Sequence, residues 1–169
     1  MKITAAYADL QRQRHAQGKY GTSGAKHADR ILGLAQKLGT KDILDYGCGQ
    51  QTLQKNIPFP IQNYDPCIAG LDSPPSSADL VVCSDVLEHI EPQCIDDVIQ
   101  DLGRLTKKVI FLDINTGPAQ KVLADGRNAH ISQHPAMWWL RELEPYFDHH
   151  SFQTYGSGFV LVATPWPEK

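Results

Sequence analysis

The chain has 169 residues, a mass of 18.8 kDa, 41% hydrophobic and 21% charged residues, which suits one domain with a proper core and excludes a disordered polypeptide. Its net charge of −3 and pI near 6.1 argue against a nucleic-acid partner, whose phosphates call for a basic face. No apolar run approaches the roughly 20 residues that span a bilayer, and the opening MKITAAYADLQRQRHAQGK lacks the apolar stretch of a signal peptide, so no membrane partner and a cytoplasmic location are expected.

The first twenty-odd residues carry a weak helical pattern (Ile3, Ala6, Tyr7, Leu10) and end in the turn-rich YGTSG; they are expected to form an N-terminal arm or lid over residues 1–24. Ser23 is placed to cap the next helix, whose stripe is Ile31, Leu32, Leu34, Ala35 and Leu38, with Gly39 as its C-cap. DILDYGCG (42–49) is a short apolar strand running into glycines, IQNYD (61–65) a second strand, and ADLVVCSD (78–85) a third with the continuous apolar centre of a doubly covered strand. Pro92 starts a helix bearing Ile95, Val98, Ile99, Leu102 and Leu105, and VIFLDI (109–114) is a further buried strand. A polar loop (116–133) and a helix over 135–147 form a substrate-side insertion, and FQTY–GSG–FVLVAT closes the chain as a hairpin adding an antiparallel strand at one edge. The four cysteines form no CxxC pair, so neither a disulfide framework nor a zinc ribbon is expected.

Strands alternating with helices predict a single α/β domain over 1–169, a Rossmann-like three-layer sandwich with a mostly parallel sheet and a C-terminal antiparallel hairpin. The segment CIAGLDSPPSSA between Asp65 and Asp79 is too short for a full crossover of about 30 residues, so one strand and its helix are expected to be lost there.

In such a sheet, ligands bind beyond the carboxyl ends of the strands, where strand order reverses. There ILDYGCGQ places Asp45 at the strand end and Gly47 and Gly49 in the turn, and Asp65 ends the second strand, where a carboxylate can accept both ribose hydroxyls. A dinucleotide fingerprint would need a third glycine at Thr52. Its absence favours an adenosine ligand without phosphate.

LDYGCG, YDP and ADLVVCSDVLEHIEP, in that order, resemble the successive motifs of class I S-adenosylmethionine (SAM)-dependent methyltransferases, in the branch typified by ubiquinone-biosynthesis methyltransferases; DGRNAHI and Trp138–Trp139 resemble a compact bacterial or phage subgroup of it. The resemblance implies SAM as cofactor, with Gly47 and Gly49 beside its methionine part, Asp65 on its ribose, and Ser84 and Asp85 near the sulfonium. Two departures stand out. Gln51 occupies the place of a third family glycine, and the acid that meets adenine falls in the abridged segment, where only Asp72 and Leu71 are at hand.

Asp45 is assigned to the turn or to the ligand's ammonium group, and Tyr20 to closure over the SAM carboxylate. His130 or Asp85 is expected to act as general base toward a small-molecule or saccharide-type acceptor. His89, Asn128, Arg127 and Trp138 are expected to contact that acceptor, because loops leaving core strands concentrate binding residues. His130 and His134 are spaced i, i+4, but Pro135 interrupts any helix there, so no metal is expected. The alternatives are a non-catalytic SAM-binding or assembly module and a nicotinamide-dependent oxidoreductase. Oligomeric state is not encoded in any pattern found.

Overall fold

The computed structural model describes residues 2–16, 18 and 21–167. An N-terminal helix, α1 (Ala5–Ala16), is followed by a 3-10 turn and by α2 (Ala28–Leu38). Three strands follow: β1 (Ile43–Tyr46), β2 (Gln62–Tyr64) and β3 (Ala78–Ser84). Helix α3 (Ile95–Leu105) leads directly into β4 (Thr106–Asn115); then come α4 (Ala136–Leu143) and the hairpin β5 (Phe147–Tyr155) and β6 (Gly158–Pro165). The strands form one sheet in the order β2-β1-β3-β4-β6-β5. The pairs β1–β2, β1–β3 and β3–β4 are parallel, and β6 is antiparallel to both neighbours.

Period-two alternation builds two cores from the same strands. Val81 and Cys83 of β3, with Ile110, Leu112 and Ile114 of β4, pack against α3 and α4, where Trp139 and Leu143 are fully buried. Leu80, Val82 and Phe111 point the other way, onto Ala28, Ile31 and Ala35 of α2. Helices on both faces therefore account for the unbroken apolar runs in β3 and β4, as the sequence predicts.

The chain between Tyr64 and Ala78 holds turns only, so the crossover is abridged as expected. Other boundaries differ. The antiparallel strand is not at the edge: β6 is inserted between β4 and β5, because Phe159, Leu161 and Ala163 need cover on one face and Val160 on the other. The edge falls to β5, whose burial stops after Phe147 and whose polar residues tolerate solvent. Helix α4 stops at Leu143, since Pro145 cannot extend it, and Phe147 already belongs to β5. Gly39 caps α2 in the left-handed conformation, at φ 63°. Ser23 caps nothing; it lies in the 3-10 turn Ser23–His27 and turns its hydroxyl elsewhere.

A third, smaller cluster sits above the carboxyl ends of the strands. Tyr7 of α1 packs with Leu123 and Ala129 of the 116–133 loop, flanked by Ile3, Leu10 and Ile131. Arm and loop thus hold each other over the end of the sheet where strand order reverses.

Candidate functional site

The first parallel strand ends at Tyr46, and the backbone reverses at once. Gly47 (φ 78°) and Gly49 (φ 49°) are left-handed, and the Gly47 and Cys48 amides both donate to the Tyr64 carbonyl at 2.8 and 3.0 Å. A Cβ on Gly47 would stand 2.4 Å from Val86 Cγ2, and one on Gly49 would stand 2.5 Å from the Gly21 carbonyl oxygen. Both glycines therefore admit other parts of the chain as well as any ligand. Gln51 is left-handed too, at φ 54°, so the turn keeps its path without a third glycine. After it only a 3-10 turn, Gln54–Asn56, forms; no α-helix N-terminus stands ready for a pyrophosphate.

Asp65 is buried just past β2. Its two oxygens accept the Gly49 and Cys67 amides at 3.1 and 2.9 Å, and His15 of α1 lies 3.8 Å away. Two amide donors aim the carboxylate and leave it further lone pairs. Asp45 is buried beside it, and burial, reinforced by the charge of Asp65, pushes its carboxyl up to about 7. A cationic group nearby would reverse that shift.

The end of β3 forms the opposite wall. Asp85 is left-handed (φ 61°), a conformation asparagine and aspartate tolerate better than most residues. Ser23 donates its hydroxyl to Asp85. Burial raises the Asp85 carboxyl, but that hydroxyl, His89 and Lys26 outweigh it and hold the group below its ordinary value. The 3-10 turn Leu87–His89 then buries Glu88 completely. Its Oε1 accepts the Asn115 amide at 2.7 Å, while burial and the facing Asp85 push its carboxyl well above the usual range.

These walls line one cleft that opens to solvent. Asp45, Gly47, Asp65, Ser84, Asp85 and His89 line it; Gly49 adjoins it through Asp65. Helix α1 supplies the roof. Tyr7 donates its hydroxyl to the His89 carbonyl at 2.7 Å, Gln11 bonds that hydroxyl at 2.6 Å, and Thr4 donates twice to Glu91 at 2.8 Å.

The remaining predicted residues lie elsewhere. His130 is buried one ring behind the lining: it meets His89 edge-on, with centroids 4.7 Å apart, and donates Nδ1–H to the Gly117 carbonyl at 2.7 Å. Asn128 staples its own loop, bonding both the amide and the carbonyl of Ala119 at 2.9 Å. Arg127 pairs with Asp125 on the surface and lies over the Tyr7 ring. Trp138 stacks on His134 at 3.7 Å, outside the lining, because Trp139 takes the core-facing position of α4. Asp72 accepts the Gly70 amide; Pro66 and Cys67, rather than Leu71, face the cavity. Tyr20 lies outside the described residues.

Several lining residues escape sequence reasoning: Tyr7, Gln11, His15, Ser23 and Cys67. Tyr7 and Gln11 share a helix face at i, i+4, the one signal that could have found them. The polar ends of β3 and β4 meet in a second cluster as well: Asp113, nearly fully buried, accepts from Ser84 at 3.2 Å, contacts His27 Nε2 at 2.8 Å and binds the Tyr155 hydroxyl.

No family model matches the sequence, and no curated protein matches it. Solved structures do. The chain superposes on Burkholderia thailandensis 1,6-didemethyltoxoflavin-N1-methyltransferase, crystallised with 1,6-didemethyltoxoflavin and S-adenosylhomocysteine (SAH), with a TM-score of 0.67 at 13% identity over 98% of this chain and 92% of that one. DhpI in complex with SAH gives 0.61 at 16% identity, covering 98% and 100%. Magnesium protoporphyrin IX methyltransferase (ChlM) from Synechocystis PCC 6803 with bound SAH gives 0.59 at 15% identity, covering 83% and 82%. The fold is that of these Rossmann-like methyltransferases.

Proposed function

We propose that the chain is a SAM-dependent methyltransferase acting on a small molecule. The observation that carries this reading is the convergence of Asp45, Gly47, Asp65, Ser84 and Asp85 on one cavity beyond the carboxyl ends of β1, β2 and β3, where open α/β sheets bind their ligands. The superposable proteins crystallised with SAH support it, and the order of LDYGCG, YDP and DVLEHI supports the branch typified by ubiquinone-biosynthesis methyltransferases.

Asp65, pre-aimed by two amides, takes the ribose hydroxyls; Asp45 takes the methionine ammonium, which its carboxyl needs in order to ionise in so buried a place; Pro66 and Cys67 lie against the adenine. The methyl group then points along the Ser84–Asp85 wall. SAM supplies the reactive carbon, and the protein supplies orientation and exclusion of water. An acceptor beside Asp85 and His89 stands under the roof of α1, whose Tyr7 and Gln11 bind each other rather than solvent. The Asp85 carboxylate, held ionised, is the group that orients an acceptor hydroxyl or amine and receives its proton. His130, one ring further back, reaches the acceptor only through His89 or through a group the two share.

Calorimetric titration with SAH, SAM and NAD tests the cofactor, and methyl-labelled SAM incubated with a small-molecule extract tests the reaction. One SAH per chain and label transferred to low-mass material are expected. Binding of NAD in place of SAH overturns the reading, and SAH binding with no transferred label overturns the catalytic part of it.

A further inference from the structure

Asp85, His89 and His130 each bring one metal-ligating atom to within 4.8 Å of the other two. The tautomers of both histidines follow from their partners. His89 Nδ1 lies 2.7 Å from the Ala129 carbonyl and His130 Nδ1 lies 2.7 Å from the Gly117 carbonyl. A carbonyl oxygen can only accept, so Nδ1 carries the hydrogen in each ring and Nε2 carries the lone pair. Fixing imidazole by a backbone carbonyl on one nitrogen is how proteins present the other to a metal.

A second observation comes from Glu88. It has no solvent exposure, and its carboxyl hydrogen-bonds that of Asp85, which aims the Asp85 carboxylate. One carboxylate, positioned by Glu88, and two imidazole nitrogens thus converge. An acceptor-rich, buried arrangement of this kind is what a cation neutralises.

We propose that Asp85, His89 and His130 bind one divalent transition-metal cation at the acceptor end of the cavity, with Glu88 behind Asp85 as a positioning residue. Two imidazoles and a carboxylate suit Zn²⁺ or Mn²⁺ better than Ca²⁺ or Mg²⁺, which prefer all-oxygen shells. Three protein ligands leave coordination positions open, as in catalytic sites. Since Asp85 and His89 line the cavity, those positions belong to an acceptor. The ion's role, though not its binding, rests on the methyltransferase reading. An acceptor hydroxyl bound to the cation loses its proton to solvent, Asp85 then serving as a ligand in place of the base it provides without the ion. Its oxygen then forms the new C–O bond, the C–S bond of the sulfonium breaks, and that electron pair stays on sulfur as the neutral thioether.

The test uses the full chain, stripped with chelator and titrated calorimetrically with Zn²⁺ or Mn²⁺, and separately with SAH. One cation per chain with a micromolar or tighter Kd is expected, weakened at least about tenfold in His130→Ala while SAH binding stays within a few-fold. Glu88→Gln is expected to weaken the cation less and to leave one equivalent. Absence of cation binding beside intact SAH binding overturns the metal site and spares the methyltransferase reading; the reverse spares the site and overturns that reading. Equal affinity in His130→Ala also overturns the site. If His130→Ala no longer binds SAH, the Co²⁺ complex of the unaltered chain decides. Visible bands shifted from those of the aqueous ion, and intensified as four- or five-coordinate Co²⁺ requires, uphold the site, and the unshifted spectrum of the aqueous ion overturns it.

Discussion

The two ends of the parallel strands use the same residue type in opposite ways. At the amino ends, Asp42 and Asp79 pair with Lys107 and Lys108 at 2.9 and 2.8 Å, with both lysines half exposed. At the carboxyl ends, Asp45, Asp65, Asp85, Glu88 and Asp113 are buried or nearly so, and among the described residues the one lysine that approaches these carboxylates, Lys26, stands 3.9 Å from Asp113. Pairs of the first kind are screened by water and contribute little. Those of the second kind are met by amides, hydroxyls and imidazoles: these hold Asp85 and Asp113 below the ordinary range, while burial raises Asp45 and Glu88, whose ionised forms a cationic ligand would favour. The comparison separates a surface that tolerates charge from a site that accumulates it.

The largest effect is expected where this site is built on bare backbone. Gly47→Ala combines a left-handed φ with a Cβ 2.4 Å from Val86; about 1–2 kcal/mol from the first and about 1–3 kcal/mol from overpacking predict a clear loss in urea unfolding. A loss below about 1 kcal/mol would mean that Val86 simply moves aside. Next comes Asp65→Ala. Losing hydrogen bonds to a charged group costs about 1.5–3 kcal/mol, so SAH affinity should fall roughly 10- to 100-fold by calorimetry, whereas Asp79→Ala should leave it unchanged. Equal behaviour of the two would break the comparison.

A pH effect of intermediate size is expected from Asp45. Its folded carboxyl is raised to about 7 from an ordinary 3.8. Between those values the folded chain binds a proton that the unfolded chain does not, so the stability of the ligand-free protein should fall as pH rises across the window. An ammonium ligand favours the ionised form, so SAH affinity should rise from pH 5.5 to 7, and Asp45→Asn should flatten both trends. Flat profiles in the unaltered protein would remove Asp45 from the ammonium site.

Smaller still, Gln51→Gly relieves a left-handed backbone at φ 54° but loosens the unfolded chain. A net gain of about 0.5 kcal/mol in unfolding is expected, with SAH binding unaltered. Lys108→Ala, at the amino ends, should change stability by no more than about 0.5 kcal/mol. A larger loss there would show that the exposed pairs matter more than their screening allows.

The sheet was legible because burial on two faces leaves a local signature: Leu80 to Cys83 and Ile110 to Leu112 are apolar without interruption wherever helices cover both sides. Asp45, Gly47 and Asp65 were legible for a related reason, since strand ends and glycine turns mark the rim of such a sheet in the chain itself. The insertion of β6 between β4 and β5 was not, because a hairpin pattern states that two strands pair but not which of them meets a third.

What the sequence determined by itself is therefore what neighbouring residues decide: strand and helix periods, the left-handed turn after β1, and the abridged crossover after Asp65, whose prolines leave no chain for a helix. Tertiary structure alone decided which distant side chains share a space. It carried Tyr7 and Gln11 onto the roof, moved Ser23 from helix cap to partner of Asp85, sent Trp138 to His134 and Asn128 to Ala119, and set His130 against His89, 41 positions earlier in the chain. Those meetings depend on packing and on the tautomers that carbonyls impose, and no spacing along a chain records either.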